Sequence, residues 1–201
     1  KDGMFMIYDF ACFERPGHLH LAFQAIHGFK SEHGRYPTSA DTEADLAKAA
    51  EINTANKEKE GFALEELDEE AKKVITNAAQ YSGFSICPMT AFFGGVAAQE
   101  VVKVTGKYTP CTQWFHMDKF KTLPKTEVNR EPRECRYDDQ IAIYGQELQD
   151  KLLDLNLFMV GAGALGCEFF KAYAMMGIAC GKNGKITCTD NDNIEVSNLN
   201  R

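Results

Sequence analysis

Through the first part of the chain, apolar residues recur at spacings of three and four. Leu19, Ala22, Phe23, Ile26 and Phe29 form one such stripe, which predicts a helix running from about His18 to a stop at Gly34. Asp41 to Ala55 predicts a second helix with a weak apolar face of Leu46, Ala49, Ala50 and Ile52. Leu67 to Tyr81 predicts a third; Asp68, Glu69 and Glu70 load its first turn with acids that suit the positive end of the helix dipole, and Gly83 follows its end. The polar stretch Lys57 to Gly61 predicts a mobile loop. Ahead of these helices, Met4 to Tyr8 is a short apolar run that fits a strand, ended by the Arg15-Pro16-Gly17 break.

Pro88 opens a fourth predicted helix, which runs to about Val104 and is closed by Gly106. Its apolar residues wrap most of the circumference, so it is expected to be buried. Gln113 to Phe120 is aromatic and roughly alternating, which predicts a strand, and the polar stretch Leu123-Pro124 to Pro132 reads as a linker at a domain boundary. Then the pattern changes. Glu147 to Leu153 predicts a short helix, and Leu157 to Val160 predicts a buried strand that feeds into Gly161-Ala162-Gly163-Ala164-Leu165-Gly166. A helix bearing Phe169, Phe170, Tyr173, Ala174 and Met176 follows and ends at Gly177. Lys185 to Thr189 is a second strand that delivers Asp190.

Composition narrows the function classes. With 201 residues, 44% hydrophobic and 25% charged, the chain has the balance of a globular protein of one or two domains. A formal net charge of -7 argues against a reader of nucleic-acid backbones, which presents clustered Lys and Arg. No apolar run approaches the ~18 residues of a membrane span, so the expected address is cytoplasmic and nuclear. Seven cysteines show no paired spacing of the kind that closes a zinc site and read as reduced thiols, mostly buried. Both ends are expected to continue into further sequence, because the chain starts at Lys1 and stops within a loop at Arg201.

Strand, glycine loop, helix, strand, acid is an arrangement with chemical meaning. Glycines at the mouth of a helix let the backbone approach a phosphate, whose charge meets unpaired N–H groups and the helix dipole. Asp190 stands 24 residues beyond Gly166, within the reach of an acid that accepts hydrogen bonds from ribose hydroxyls. The same glycines also serve a purely structural tight turn. In the tail, Asn198 and Arg201 lie three apart and are candidates to grip a triphosphate, while Ser197 and Asn198 are equally good caps for a helix start.

The run GAGALGCEFF followed by TDNDNIEVSNLNR resembles the ATP-binding segment of ubiquitin-activating enzymes. Arg136-Tyr137-Asp138-Asp139-Gln140-Ile141, with Gly145 and Gln149, resembles the opening of that domain. LHLAFQAIHGF (Leu19 to Phe29) is similar to the family's helical-bundle insert, and AFFGGVAAQEVVK (Ala91 to Lys103) to the last helix of its inactive adenylation domain. The resemblance implies an α/β chain: a helical bundle insert at 1–87, the end of the inactive adenylation domain at 88–124, and at 125–201 the start of a Rossmann-like adenylation (ThiF-type) domain. It implies ATP and Mg2+ as cofactors, and ubiquitin and ubiquitin-conjugating enzymes as partners, with neither nucleic acid nor membrane. The expected reaction is adenylation of the ubiquitin C-terminus, then thioester formation and transfer.

Carried over by position, the ATP-binding residues are Gly161, Gly163, Ala164, Asp190, Asn198 and Arg201. No catalytic residue and no metal ligand is assigned within the chain, and the fragment alone is expected to be inactive. Homodimeric relatives carry an Arg-Gln pair where this chain has Asp139-Gln140, so a charge-neutralising Arg is expected from elsewhere. Cys111 is held as structural, Cys167 as packed against the sheet, and His18, His20 and His27 as ordinary surface and bundle positions. Competing readings are an activating enzyme for another ubiquitin-like modifier, an NAD-dependent oxidoreductase, and a non-catalytic scaffold on an adenylation fold.

Overall fold

The computed structural model describes residues 4–200. The chain forms two compact units, Lys1–Phe84 with Glu100–Leu123, and Ser85–Gln99 with Pro124–Arg201.

The first unit is built on α1 (Arg15–His33), α2 (Thr42–Glu58) and α3 (Glu69–Tyr81). Pro16 sits in the first turn of α1, where its missing N–H costs nothing. Gly34 ends the helix in the left-handed region (φ 71°) and returns its N–H to the Lys30 carbonyl at 2.8 Å. Asp68 caps α3 by accepting the Ala71 N–H at 2.7 Å, and Glu70 reaches Arg15 at 2.6 Å. Leu21, Ala22, Ala25, Ile26, Ala49, Ile75 and Ala78 form the shared core; each fully buried Leu or Ile contributes roughly 1.5–3 kcal/mol.

α2 differs from the expectation in register and length. Its buried positions are Asp45, Ala49 and Asn53, one turn apart, while Leu46 and Ile52 pack against the core only in part. Asn53 is satisfied by a reciprocal pair: its amide donates to the Leu64 carbonyl at 3.1 Å and accepts the Leu64 N–H at 2.8 Å. Asp45 has no partner for either oxygen. The helix also continues through Glu58, into the stretch read as a loop, and the turn closes with Gly61 N–H on the Asn56 carbonyl at 2.8 Å.

Two other expectations fail in this unit. Met4 to Tyr8 and Gln113 to Phe120 do not form strands; they meet at one parallel bridge, Phe5 with Trp114. The aromatic alternation instead packs rings around a buried histidine pair. His20 and His116 are 3.1 Å apart, with Phe5, Phe62 and Trp114 against His20. His18 is also buried, whereas His27 is exposed.

α4 (Cys87–Lys103) has no buried residue, and Phe92, Val101 and Val102 are among its exposed side chains. The sequence requires burial, but the described residues supply no layer to cover it.

The second unit holds α5 (Asp138–Tyr144), α6 (Gln146–Leu153), β1 (Asn156–Val160), α7 (Ala164–Met176) and β2 (Lys185–Thr189). β1 and β2 pair in parallel from Asn156↔Lys185 to Val160↔Thr189, and α7 is the crossover that parallel pairing needs. β1 is not buried as expected: Phe158 is 68% exposed and Val160 77%. Among the described residues the sheet has two strands, too few to enclose a face. Gly145 separates α5 from α6 at φ 89°, and a Cβ there would stand 2.6 Å from that of Val128. Gln140 and Gln149, both buried, donate to the Met176 carbonyl at 3.1 Å each and so anchor α5 and α6 to the end of α7.

Candidate functional site

The glycine loop joins β1 to α7 at the point where β2 also ends. Gly161 leaves the strand at φ 97°, in the left-handed region, while its N–H still bonds the Thr189 carbonyl at 2.8 Å. Gly163 is the N-cap of α7 and offers no capping side chain, so the first N–H groups of the helix are left for an incoming acceptor. Beside Gly161 and Gly163, a Cβ would meet nothing within 4 Å. The space is open on the side a ligand would use.

Gly166 has the opposite surroundings. It is buried, and a Cβ there would collide with the Gly161 carbonyl oxygen. The helix therefore rides directly on the loop, which fixes where its N-terminus points.

Asp190 closes the arrangement. One carboxylate oxygen accepts the Ala162 N–H at 2.5 Å, and the other accepts the Asp192 N–H at 2.9 Å. These bonds, the Ala162 one first, hold its carboxyl below the ordinary carboxylate range. Each oxygen keeps a second lone pair, so a ribose hydroxyl can still donate to it. Gly161, Gly163, Ala164 and Asp190 are thus brought together at one mouth. Sequence reasoning missed Ala162, whose backbone is the actual link, and Asp192. The Asp-Asn-Asp run was the signal for the latter, because an aspartate readily accepts the N–H two residues on.

Asn198 is engaged within its own turn. Val196–Asn200 forms a 3-10 turn, and Asn198 spends its side-chain oxygen on the Glu195 N–H at 2.9 Å while its own N–H donates to the Glu195 carbonyl. Its amide serves this turn and caps no α-helix. Arg201 lies outside the described residues. Between Asp190 and Asn200 the charged residues are Asp190, Asp192 and Glu195, all acids.

Other candidates resolve locally. Cys167 is exposed, with its thiol directed at the Ala162 carbonyl at 3.2 Å, and does not pack against the sheet as expected. Cys111 is half-buried; its N–H donates to Glu100 and its thiol to the Gln113 carbonyl. Asp139 accepts the Ser85 N–H at 2.9 Å. Among the described residues no group of three metal-ligating side chains assembles, and no helix is long and apolar enough to cross a membrane.

Comparison with known proteins bears on this geometry. Residues 137–201 match the ThiF family, and residues 1–54 match the ubiquitin-activating enzyme E1 four-helix bundle. The chain is 46% identical over 203 residues to ubiquitin-activating enzyme E1 2 of Arabidopsis thaliana, covering 99% of this chain and 19% of that protein. It is 44% identical to ubiquitin-like modifier-activating enzyme 1 of Oryctolagus cuniculus and 42% to that of Homo sapiens, each over 205 residues, 98% of this chain and 19% of the relative. The chain therefore spans about a fifth of the length of these relatives.

Proposed function

The chain belongs to the ubiquitin-activating enzyme family, and on that premise we propose that its glycine loop and Asp190 form the nucleotide-holding part of an ATP-dependent adenylation site. The observation that carries this reading is the Asp190 carboxylate bound to the Ala162 N–H beside an uncapped helix start. That contact fixes the acid beside the glycine loop, the arrangement in which a dinucleotide-type fold holds a ribose. The whole enzyme would adenylate the C-terminal carboxylate of ubiquitin, form a thioester and pass it to a conjugating enzyme, working in the cytoplasm and nucleus.

Within this scheme, Gly161 and Gly163 leave room for phosphate, the first N–H groups of α7 donate to its oxygens, and Asp190 orients the ribose. ATP supplies the activated phosphorus for the carboxylate to attack. Mg2+ would offset phosphate charge, and none of the described residues is assigned to it. Asn198, engaged in its own turn, is not counted as a phosphate ligand in this state. An E1-type bundle match followed along the chain by a ThiF match favours ubiquitin over another modifier.

The test is Asp190→Ala in the full-length enzyme, read by ubiquitin-dependent exchange of pyrophosphate into ATP and by direct titration with ATP and with NAD. Losing a charge-assisted hydrogen bond of about 1.5–3 kcal/mol should weaken ATP binding roughly tenfold or more. An unchanged ATP affinity, or preference for NAD, would sink the assignment. The 201-residue chain alone should show no exchange, since its sheet has two described strands and residues 190–200 bring no positive charge to the loop.

A further inference from the structure

We propose that Cys12 and Lys121 are a redox-responsive crosslinking pair, in which peroxide converts the thiol to a sulfenic acid and the lysine amine captures it as a sulfur–nitrogen bond. The Lys121 ammonium donates to the Cys12 thiol sulfur at 3.2 Å, across 109 positions of sequence. This proximity is built by several ties. Cys12 ends the 3-10 turn Phe10–Cys12, which Asp9 caps by accepting the Ala11 N–H at 3.0 Å. Lys121 lies on the 3-10 turn Phe120–Thr122, started by Asp118 accepting the Phe120 N–H at 2.9 Å.

The two turns are then joined. Tyr8 Oη accepts the Asp118 N–H at 3.4 Å, Arg15 pairs with Asp118 at 3.5 Å, and Asp9 holds Lys121 at 3.6 Å. The Met6 N–H bonds the Trp114 carbonyl just upstream. Cys12 is half-buried, so a small oxidant reaches the sulfur. Cys12 and then Asp9 hold the Lys121 ammonium above its ordinary range; converting the thiol to sulfenic acid removes the Cys12 share, and the side chain, 69% exposed, can then pass its proton to water. All seven cysteines are free thiols, and the amine is the nucleophile at hand.

The chemistry balances in two steps. The thiol takes one oxygen from hydrogen peroxide, giving sulfenic acid and water; the sulfur is oxidised and the peroxide reduced. The Lys121 nitrogen then attacks that sulfur, the S–O bond breaks, and a second water leaves with the sulfenic oxygen. Two equivalents of a thiol reductant restore thiol and amine and become a disulfide.

The experiment treats the full-length enzyme with hydrogen peroxide, blocks remaining thiols and digests without reductant before mass spectrometry. A species joining the Cys12 and Lys121 peptides, lighter than their sum by two hydrogen atoms and lost on adding dithiothreitol, is the expected result. Lys121→Arg should abolish it and let Cys12 proceed to sulfinic acid. Wild-type Cys12 found as sulfinic acid or mixed disulfide without the crosslink, or a crosslink that survives Lys121→Arg, would overturn the proposal.

Discussion

Asp45 offers the sharpest stability test, because its carboxylate is fully buried on the core stripe of α2 and neither oxygen has a partner. Burial raises its pKa from 3.8 to about 6. The folded state therefore holds the proton longer than the unfolded chain. The stability this permits is complete below pH ~4 and is lost as pH rises through about 6. A shift of roughly two pH units, at about 1.4 kcal/mol each, amounts to ~3 kcal/mol of bundle stability that is absent at pH 7.

His116 acts in the opposite sense. Burial, with the neighbouring His20 second, lowers its pKa from 6.5 to about 4, so its contribution is complete above the unfolded value and is lost as pH falls toward 4. His20 and His18 are lowered by burial as well and add in the same direction. Between pH ~4 and ~6 the carboxyl and the imidazoles offset one another, and the native bundle should show a shallow pH dependence. Asp45→Asn removes one side. Its stability should climb by about 3 kcal/mol from pH 4 to 6.5, and at pH 7 it should exceed wild type by ~1–2 kcal/mol after the cost of a buried amide. Hydrogen exchange of the α1 and α2 amides, measured in the full-length enzyme across this range, reads the local opening free energy. Parallel pH profiles for wild type and Asp45→Asn would refute the reasoning.

Gly166→Ala places a methyl on the Gly161 carbonyl, so helix and loop must separate at a typical cost of 1–3 kcal/mol; calorimetric ATP titration should show at least ~10-fold weaker binding, and an unchanged affinity would mean the loop geometry is irrelevant. Gln149→Leu removes the side-chain oxygen to which Gln140 donates, leaving Gln140 the Met176 carbonyl, and removes one donor from Met176, so the second unit should lose about 1–3 kcal/mol in denaturant unfolding; a neutral effect would discount the anchor. Cys111→Ser should leave the modifier–enzyme thioester intact on a non-reducing gel; its loss, with adenylate formation preserved, would identify Cys111 as the nucleophile.

The helices were legible where capping and periodicity agreed. Gly34 and Gly177 mark C-terminal ends that the structure places where expected, since each supplies a local cap that needs no distant partner; the N-terminal ends differ, α1 starting at Arg15 through the Pro16 read as a break and α3 at Glu69, after the Asp68 cap. α5 went unread because it is only about two turns of mixed residues, held by glutamines that meet only in three dimensions. The aromatic segment 113–120 was misread as a strand because alternating rings satisfy a histidine nest as well as a pleat. α2 hid its core face for a related reason: Asp45 and Asn53 occupy the buried stripe with Ala49, so Leu46 and Ile52 only flank it. β1 and α4 show the reverse. Their apolar sequences demand cover that the described residues do not supply.

The candidate site divides along the same line. Its loop half is held by backbone bonds of its own: Gly161 to Thr189, Ala162 to Asp190, and Gly166 against the loop carbonyl. Such bonds form without a ligand, so motif spacing was enough to find them. The tail half is made of exposed side chains whose assigned work needs a charged ligand, and without one Asn198 satisfies its own turn. The charges reinforce this. A triphosphate at α7 would approach Asp190, Asp192 and Glu195 before meeting any cation among the described residues of the tail. Uncompensated, those carboxylates repel it by an amount that backbone N–H groups alone do not repay. On the proposed reading the loop and Asp190 shape a cradle and orient a sugar, while residues 190–200 bring no cation to the phosphates. This is the physical reason to expect adenylation from the assembled enzyme and not from this segment alone.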